Sequence, residues 1–517
     1  MLFRSERAGG VWNACTWLDQ TCFFGTLPRG ALDLALDIEA QRMAAALFLP
    51  EAVEAERALI ISELQTGEND PEKLLDIETT AAVFSAHPYR WPTIGRRPDI
   101  EKTTREDLYR FYRRAYCPSN ATLVVAGDFD EEQALRSIRR GFGAIPPGEP
   151  MEPLRTEDPA QHGERRVRLD RGGEAACLQM LYRTPAVGDR DVVPLLVLNA
   201  ALGGADAFTA HGAEWRGQAA RSSRLHRGLV ETGLAAKAGS LFIPTKRPLV
   251  FCVSETAARG VDPARLEEEA VRLVEEAAAE GFGEAEFRKA VNALRGRFIY
   301  DCEGAGGWAQ MLGYYAAIDD ASFPWAFLKE LDRISADDVR AAAERHLTAR
   351  NRTIGWNLPS GGAGGGARQA GAGRGPVDYR AGASAPAPAA APPRRSNVRL
   401  WPWGDNREGG GEAPPAAIAA PGPALGAVRT MLSNGLVLVV RENRSSPSIA
   451  ARVDIAAGSA FDPAGKAGLA HFTARMLDRG SRAMSAALLA EVMDSTGTEL
   501  GISCGRDRAS LDRKSVV

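Results

Sequence analysis

A long run of Gly, Ala, Pro and Arg interrupts this chain and most constrains what it can fold into. Residues 359–427 contain stretches such as SGGAGGGARQAGAGRG and SAPAPAAAPPRR and almost no apolar periodicity. A segment of this composition lacks the apolar side chains that a packed core needs. The sequence therefore predicts a linker at 359–427, with a long folded block before it and a short one after it.

Length, net charge and cysteine content limit the classes of protein to which this chain can belong. At 517 residues the chain is too long for one hydrophobic core and predicts two to four domains. Its net charge of −3 provides no basic field, so no nucleic-acid partner is expected. No apolar run approaches the ~20 residues of a membrane span. The seven cysteines include no CxxC pair, which favours free thiols over disulfides or a thiolate zinc site.

Helix and strand patterns occur on both sides of the linker. Before it, helices are predicted at 30–49 (closed by Pro50), 51–68, 131–142, 190–202, 263–280, 284–300 and 336–347. Strands are predicted at ATLVVAGDFD (121–130), RVRLD, CLQMLYRTP, 248–254 and RTIGWNL. After the linker, Asn434-Gly435 between two apolar runs predicts a hairpin, and IAARVDIAAGS predicts a strand that leads into a helix containing His471.

Two distant segments form an internal repeat. Gly9–Thr21 (GGVWNACTWLDQT) aligns without gaps with Gly497–Ala509 (GTELGISCGRDRA), at an offset of 488 residues (497 − 9). We therefore expect the chain to begin partway through one copy of a repeated unit and to end at the equivalent point of the next. LFRS at 2–5 and DRKSVV at 512–517 can both be encoded by a common sequencing adapter, so Met1 is not expected to be a natural start.

Two carboxylates in PEAVEAERALIISELQTGEND share one helical face. Glu56 and Glu63 are seven residues apart, which is nearly two helical turns. The apolar run at 58–61 predicts that this helix is at least half buried, and a buried carboxylate needs a partner. The alternative is a surface helix with two solvated glutamates.

Several ordered motifs resemble one known family. They are GGVWNACTWLDQT, RMAAALFLPEAVEAERALIISEL, HPYRWPTIG, FYRRAYCPSNATLVVAGDFD and SSRLHRGLVETGLAAKAGS. Together they resemble the M16 (pitrilysin/insulinase-type) zinc metallopeptidase family over nearly all of 9–358, and the resemblance resumes at 428–510. It implies an α+β fold of repeated domains, each a mainly antiparallel sheet with helices packed on one face.

The resemblance also implies a domain division. Residues 1–150 would be the C-terminal part of a first M16 N-type domain, and 160–358 an M16 C-type domain that shapes the substrate chamber. The linker at 359–427 would lead to 428–517, the start of a second and degenerate N-type domain. In the complete protein two such halves would close as a clamshell around peptides.

The family's metal site is only partly represented in this sequence. In the family, two histidines of an HxxEH motif hold Zn2+, the glutamate of that motif is the general base, and a later glutamate in an E-x6-E pattern is the third ligand. By resemblance Glu63 is the metal ligand, and Glu56 supports the site without touching the metal. This ligand set would leave a fourth position for a water that the zinc activates. The sequence contains no HxxEH motif, so the general base is expected off the chain.

The segment HFTAR occupies the HxxEH position of the second copy. His471 is present, but Ala474 stands where the general base belongs and Arg475 where the second histidine belongs. Arginine is always protonated and cannot bind zinc. The second copy is therefore expected to be a degenerate partner, in which Arg475 could pair with a carboxylate that the sequence does not identify.

The other five histidines show no ligand spacing. His87, in the HPY turn, is expected to be structural, and His226 lies in the segment that resembles part of the family's substrate chamber. His162, His211 and His346 are interpreted as solvated or loop residues. No other histidine is therefore expected to replace the missing ligands.

The segment NACTWLD (13–19) resembles the family strand beside the zinc helix. Such an edge strand binds substrate in extended form by β-augmentation. Asn13 and Ala14 are the candidate substrate-binding residues. The alternative is a packing strand with a tight entry at Gly9-Gly10.

The function implied by the resemblance is zinc-dependent endopeptidase action on peptides or small unfolded proteins. This chain is expected to be inactive, because one ligand cannot hold the metal. The alternative is a non-catalytic M16-like scaffold or assembly subunit. Many bacterial relatives are periplasmic, but MLFRSERAGG lacks the apolar core of a signal peptide, so periplasm and cytoplasm both remain open.

Overall fold

The computed structural model describes residues 6–171, 173–209, 220–318, 320–359, 427–444 and 446–516. Nearly all of the predicted linker (360–426) and His211 lie outside the described residues. None of the described helices is both long enough and apolar enough to cross a membrane.

The first part of the chain is a hairpin followed by helices. β1 (Val11–Thr16) pairs antiparallel with β2 (Thr21–Thr26). The helices that follow are α1 (Leu32–Ala45), α2 (Pro50–Glu68), α3 (Pro71–Val83), α4 (Arg97–Lys102), α5 (Arg105–Ala115) and α6 (Glu131–Phe142). The side chains of Asp70, Thr104 and Asp130 accept N–H bonds at the first turns of α3, α5 and α6, which fixes where these helices begin.

Two predictions for this part need correction. The helix predicted over 30–49 ends at Ala45, and Pro50 is the first residue of α2 rather than only a terminator, as proline's fixed φ permits. The strand predicted at 121–130 is wrong, since these residues belong to no strand. An apolar run becomes a strand only where a neighbouring strand supplies hydrogen bonds, and within the described residues none pairs with it.

A five-stranded sheet forms the centre of the fold. Its order is β3-β7-β4-β6-β5, and only the β3–β7 pair is parallel. The strands are β3 (Arg165–Asp170), β4 (Cys177–Arg183), β5 (Ala235–Leu241), β6 (Val250–Ala257) and β7 (Arg352–Leu358). The helices are α7 (Val192–Leu202), α8 (Pro263–Ala279), α9 (Glu284–Asp301), α10 (Gly304–Ala317), α11 (Phe323–Leu331) and α12 (Ala336–His346). The predicted α+β class is confirmed.

Helices from two parts of the chain cover this sheet. On one face, Trp356 of β7 donates its indole N–H to Glu267 of α8 at 2.6 Å. On the other face, Gln179 of β4 donates to Asp76 of α3 at 2.8 Å. Covered on both faces, β4 and β7 are nearly continuous buried runs. The main hydrophobic core therefore lies within 160–358 and extends to Phe84 and Tyr89.

The segment after the predicted linker begins with a hairpin. β8 (Ala427–Met431) pairs with β9 (Val437–Arg441), as Asn434-Gly435 predicts. The elements that follow are β10 (Ser448–Ile455), α13 (Leu469–Met476), α14 (Ala486–Ser495), β11 (Glu499–Cys504) and β12 (Ala509–Val516). The last sheet has the order β10-β12-β11.

The sequence repeat is also a structural repeat. β11–β12 has the same register as β1–β2 at the offset of 488: Cys15 faces Cys22, and Ser503 faces Ser510. Gly9 and Gly497, which precede the two hairpins, both have positive φ (75° and 58°), a conformation that favours glycine. The two aligned segments therefore fold into equivalent hairpins.

The last segment packs against α9 and the residues near 221. Arg221 donates to the Asp478 carboxylate at 2.6 Å, Asn292 to the Ser495 carbonyl at 2.9 Å, and Tyr300 to the Gly497 carbonyl at 2.6 Å. A Cβ at Gly296 would lie 2.9 Å from that same carbonyl oxygen. A glycine at 296 is therefore what allows the backbone of Gly497 to approach α9.

Candidate functional site

The glutamate pair lies on an exposed face of α2. The buried residues of this helix are Val53, Leu64 and Gly67. Glu56 and Glu63 are exposed, and Leu59 between them is 61% exposed. The prediction that the apolar run makes α2 at least half buried is therefore wrong. Only the face toward α3 and α4 is covered. Four consecutive residues such as 58–61 point in different directions around a helix, so part of this run lies on the uncovered side.

The carboxylates of Glu56 and Glu63 form no hydrogen bond or ion pair with any described residue. The helix is instead anchored by Arg57, whose guanidinium donates to the carbonyls of Ile100 and Thr103, the latter at 2.8 Å. The described part of the chain contains no group of three His, Cys, Asp or Glu side chains that could hold a metal. Zinc needs at least three such donors, so the described side chains do not fit it.

Helix α13 carries the HFTAR segment. Asp462 caps the start of α13 by accepting the N–H groups of Gly468 at 2.7 Å and Ala470 at 2.8 Å. Ala474 is its buried residue, whereas His471 and Arg475 are exposed. Arg475 forms no ion pair with a described residue. The position at which the resemblance places the general base thus faces inward, and the two positions at which it places histidine ligands face outward.

The candidate substrate-binding residues lie on an edge strand. Among the described strands only β2 pairs with β1, and both Asn13 and Ala14 are exposed. The Ala14 N–H donates to its neighbour's side-chain oxygen, Asn13 Oδ1, at 2.8 Å. In an antiparallel ladder alternate residues turn their N–H and C=O groups away from the partner strand. Ala14 therefore presents its N–H to the outer edge, where the Asn13 side chain covers it.

Two of the other histidines have structural surroundings. His87 is buried, its Nδ1 accepts the Tyr89 N–H at 3.2 Å, and burial lowers its pKa. This agrees with the structural role that the sequence predicts. His226 begins a π-helical turn (His226–Val230) and is half-buried, which lowers its pKa. His162 is exposed, as predicted.

The interpretation of His346 as a solvated or loop residue is wrong. It ends α12, and its Nε2 lies 2.9 Å from the buried carboxylate of Asp191, which also accepts two bonds from Arg345. Asp191 and Arg345 line a cavity of about 540 Å³ between α7, α11 and α12, together with Phe323. Sequence reasoning missed this cluster because its members are 155 positions apart.

Comparison with known proteins identifies the family. The sequence model described as "Insulinase (Peptidase family M16)" matches residues 2–97 and 437–515, and the one described as "Peptidase M16 inactive domain" matches 102–294. An uncharacterized zinc protease of Mycobacterium leprae, ML0855, is 28% identical over 358 residues, which cover 67% of this chain and 75% of that protein. The zinc protease PqqE of Helicobacter pylori is 25% identical over 355 residues, covering 68% and 77%.

A solved structure agrees with these sequence matches. The crystal structure of a protease from Helicobacter pylori aligns with a TM-score of 0.63 at 23% identity, over 69% of this chain and 84% of that one. At this identity the likeness concerns the fold, and it reproduces the arrangement of helices and sheets described above. On the sequence models and the fold together, this chain belongs to the M16 family of peptidases.

Proposed function

We propose that the chain carries one metal ligand and a peptide-binding edge of an M16 zinc endopeptidase. Glu63 is the ligand, and Glu56 supports it. The observation that carries this proposal is the position of the two carboxylates, seven residues apart on the uncovered face of α2. Groups from outside the described residues can reach both of them there. The names of the relatives, which are called zinc proteases, support the same chemistry.

The proposed substrate is an extended peptide or a small unfolded protein. Main-chain groups on the outer edge of β1 would pair with the substrate backbone. Asn13 and Ala14 are the residues that the peptide would meet, Ala14 through its main-chain N–H and Asn13 through a side chain that must first leave that N–H. The domains are proposed to be 1–150 and 160–358, with the linker at 359–427 and a degenerate second unit at 428–517. Two such halves would close around the peptide as a clamshell.

We also propose that the 517-residue chain does not cleave peptides by itself, because its described donors do not fit zinc. The test incubates the full chain with internally quenched peptides and Zn2+, with and without a chelator. The expected result is no chelator-sensitive cleavage and no difference in zinc affinity between the chain and its Glu63→Gln variant. Cleavage that a chelator stops and Glu63→Gln abolishes would overturn the proposed inactivity.

A second candidate is a non-catalytic M16 scaffold subunit. The match of residues 102–294 to the family's inactive domain favours it. The two candidates differ in peptide binding, which fluorescence anisotropy with a labelled extended peptide measures directly. A peptide-binding subunit would show saturable binding that changes at the β1 edge disturb, whereas a pure scaffold would show none.

A further inference from the structure

Two cysteines face each other across the first hairpin. Cys15 of β1 and Cys22 of β2 are directly opposite partners in the antiparallel register. Both thiols are free and partly buried. Among the strand pairings of the described residues, no other joins two cysteines. The pair is set by the register of one hairpin, so every residue that places the two thiols together lies within 11–26.

The hydrogen bonds of the hairpin give the separation of the two cysteines. Trp17 donates its N–H to the Gln20 carbonyl at 2.9 Å, whereas the Ala14 N–H turns to the outer edge. Hydrogen-bonded pairs alternate along an antiparallel ladder, so Cys15 and Cys22 form one of them. The Cα atoms of such a pair are roughly 5.5 Å apart, which lies within the range of roughly 4.4–6.8 Å that a disulfide spans.

A disulfide between these strands would be strained. Opposite Cβ atoms in a hydrogen-bonded pair are about 5.5 Å apart, and a disulfide brings them to about 4 Å. The two strands must therefore approach each other when the bond forms. Strained disulfides are reduced more easily than relaxed ones, and they are the labile and regulatory class. The geometry thus favours a bond that forms and breaks over a permanent one.

The repeat contains the same hairpin without the thiols. Ser503 and Ser510, the equivalents of the two cysteines at the offset of 488, also face each other. Serine has the shape of cysteine with oxygen in place of sulfur, and it forms no disulfide. The hairpin fold therefore does not need a cysteine at either position, and the thiol pair distinguishes the first copy from the second.

We propose that Cys15 and Cys22 are a reversible oxidation site, at which a small-molecule disulfide such as oxidised glutathione converts the two thiols into a cross-strand disulfide. One thiolate attacks a glutathione sulfur, the glutathione S–S bond breaks, and one reduced glutathione leaves. The second thiolate attacks the protein sulfur of this mixed disulfide and releases the other glutathione. Two protein thiols are oxidised, one glutathione disulfide is reduced, and the two thiol protons pass to the departing thiolates.

The cross-link would change the local stability of the hairpin. With β1 bonded covalently to β2, the strands can no longer separate at this pair, and local opening becomes rarer. Hydrogen–deuterium exchange of the amides in 11–26 should then be at least about tenfold slower in the oxidised chain. Oxidation would thereby switch the hairpin between two levels of rigidity.

The test treats the full chain with oxidised glutathione, quenches it with acid, blocks the remaining thiols and digests it with trypsin. The tryptic peptide 8–29 contains Cys15, Cys22 and no other cysteine. We expect this peptide to lose the mass of two hydrogen atoms and to regain it after treatment with reduced glutathione. Burial raises the pKa of both thiols, that of Cys15 to about 11. Since the thiolate is the nucleophile, oxidation should be about tenfold faster at pH 8 than at pH 7.

Cys504 is the matched control within the same chain. It lies in the second hairpin and faces Ala509, which has no thiol, so its tryptic peptide 483–506 should gain a glutathione and show no loss of two hydrogens. The variant Cys15→Ser, which copies the repeat, should abolish the mass loss in peptide 8–29 and keep the faster amide exchange under oxidant.

Three results would overturn the proposal. The first is a peptide 8–29 that keeps both thiols, or carries a glutathione on each, after the oxidant has reacted with Cys504. The second is a disulfide that reduced glutathione does not reverse, which would make the bond a permanent one. The third is an amide exchange in 11–26 that is the same in the oxidised and reduced chains.

Discussion

The hydroxyl of Tyr89 donates to the Asp19 carboxylate at 2.5 Å and joins two parts of the chain that are 70 positions apart. The second oxygen of Asp19 accepts the Lys246 N–H at 3.1 Å, and the Tyr89 oxygen accepts the Arg247 N–H at 3.3 Å. The β1–β2 turn is thereby bonded to the loop between β5 and β6. Asp507, the equivalent of Asp19 in the repeat, is exposed.

Tyr89→Phe should destabilise the fold by about 1–3 kcal/mol. The change removes only the hydroxyl, but it leaves the half-buried Asp19 carboxylate without its short bond. Burial raises the pKa of Asp19, which means that the charged carboxylate is already unfavourable at this place. Loss of the Tyr89 hydroxyl, which donates to it, makes the charged form less favourable still. Urea unfolding followed by circular dichroism measures the change.

Tyr109→Phe is the matched control for this prediction. Tyr109 is exposed, and its hydroxyl has no hydrogen bond in the described part of the chain. Its removal should therefore change the free energy of unfolding by less than ~0.5 kcal/mol. Equal unfolding curves for the two variants would show that the Tyr89–Asp19 bond adds no stability.

Local sequence signals were sufficient for most elements. The strand predicted at RTIGWNL has the observed bounds of β7, because a continuous apolar run suits a strand buried on both faces. The helix predicted at 131–142 has the observed bounds of α6, because Asp130 caps its start and Gly143 follows its end. In both cases the residues of the element and those next to it along the chain are enough to predict where it begins and ends.

Contacts between distant residues could not be predicted in this way. The apolar run at 121–130 looks like a strand, but its state depends on a partner strand that a local pattern cannot supply. The same holds for α2, whose sequence does not show that Leu59 would face outward. For the candidate site, the sequence predicts only that Glu56 and Glu63 share one helical face. A metal site needs donors from several segments, and a local pattern does not show which segments meet.

Glu255→Gln should stabilise the protein, and more so at higher pH. Glu255 on β6 is 3% exposed, neither carboxyl oxygen has a hydrogen-bond partner in the described residues, and burial raises its pKa well above the ordinary value. The folded state therefore keeps this proton after the unfolded chain has lost it near pH ~4.3. Stability falls as pH rises above that point, by up to ~1.4 kcal/mol per pH unit, until the folded pKa is reached.

Thermal unfolding of Glu255→Gln and of the unmodified chain at pH 5 and pH 8 tests whether the stabilisation by the variant increases with pH. The variant should unfold at a higher temperature at both values, with the wider gap at pH 8. Glu268→Gln changes an exposed glutamate on α8 and should show no such difference. A gap that does not grow with pH would mean that Glu255 is ionised in the folded protein.

Ala14→Pro should weaken binding of an extended peptide by about tenfold or more. Proline removes the outward N–H of Ala14 without removing a bond to β2, and edge strands tolerate proline at such positions. The peptide then loses one main-chain partner. Fluorescence anisotropy with a labelled peptide measures the affinity.

Asn13→Ala should have the opposite effect on the same peptide. The Asn13 side chain occupies the Ala14 N–H at 2.8 Å, so its removal frees that donor and should raise the affinity a few-fold. Circular dichroism confirms that both variants are folded. If neither variant changed the affinity, the peptide would bind elsewhere than β1.

Arg475→His should raise the zinc affinity of the chain. The change places a second histidine four residues after His471 on α13, the spacing at which two imidazoles on one helical face bind zinc. We expect binding about tenfold tighter than in the unmodified chain, or ~1.4 kcal/mol. Competition with a chromophoric chelator measures it.

A histidine at a different spacing serves as the control for this prediction. Arg479→His adds a histidine eight residues from His471, beyond the end of α13, and should leave the affinity unchanged. Equal zinc affinities for Arg475→His and the unmodified chain would show that the two imidazoles do not bind the metal together.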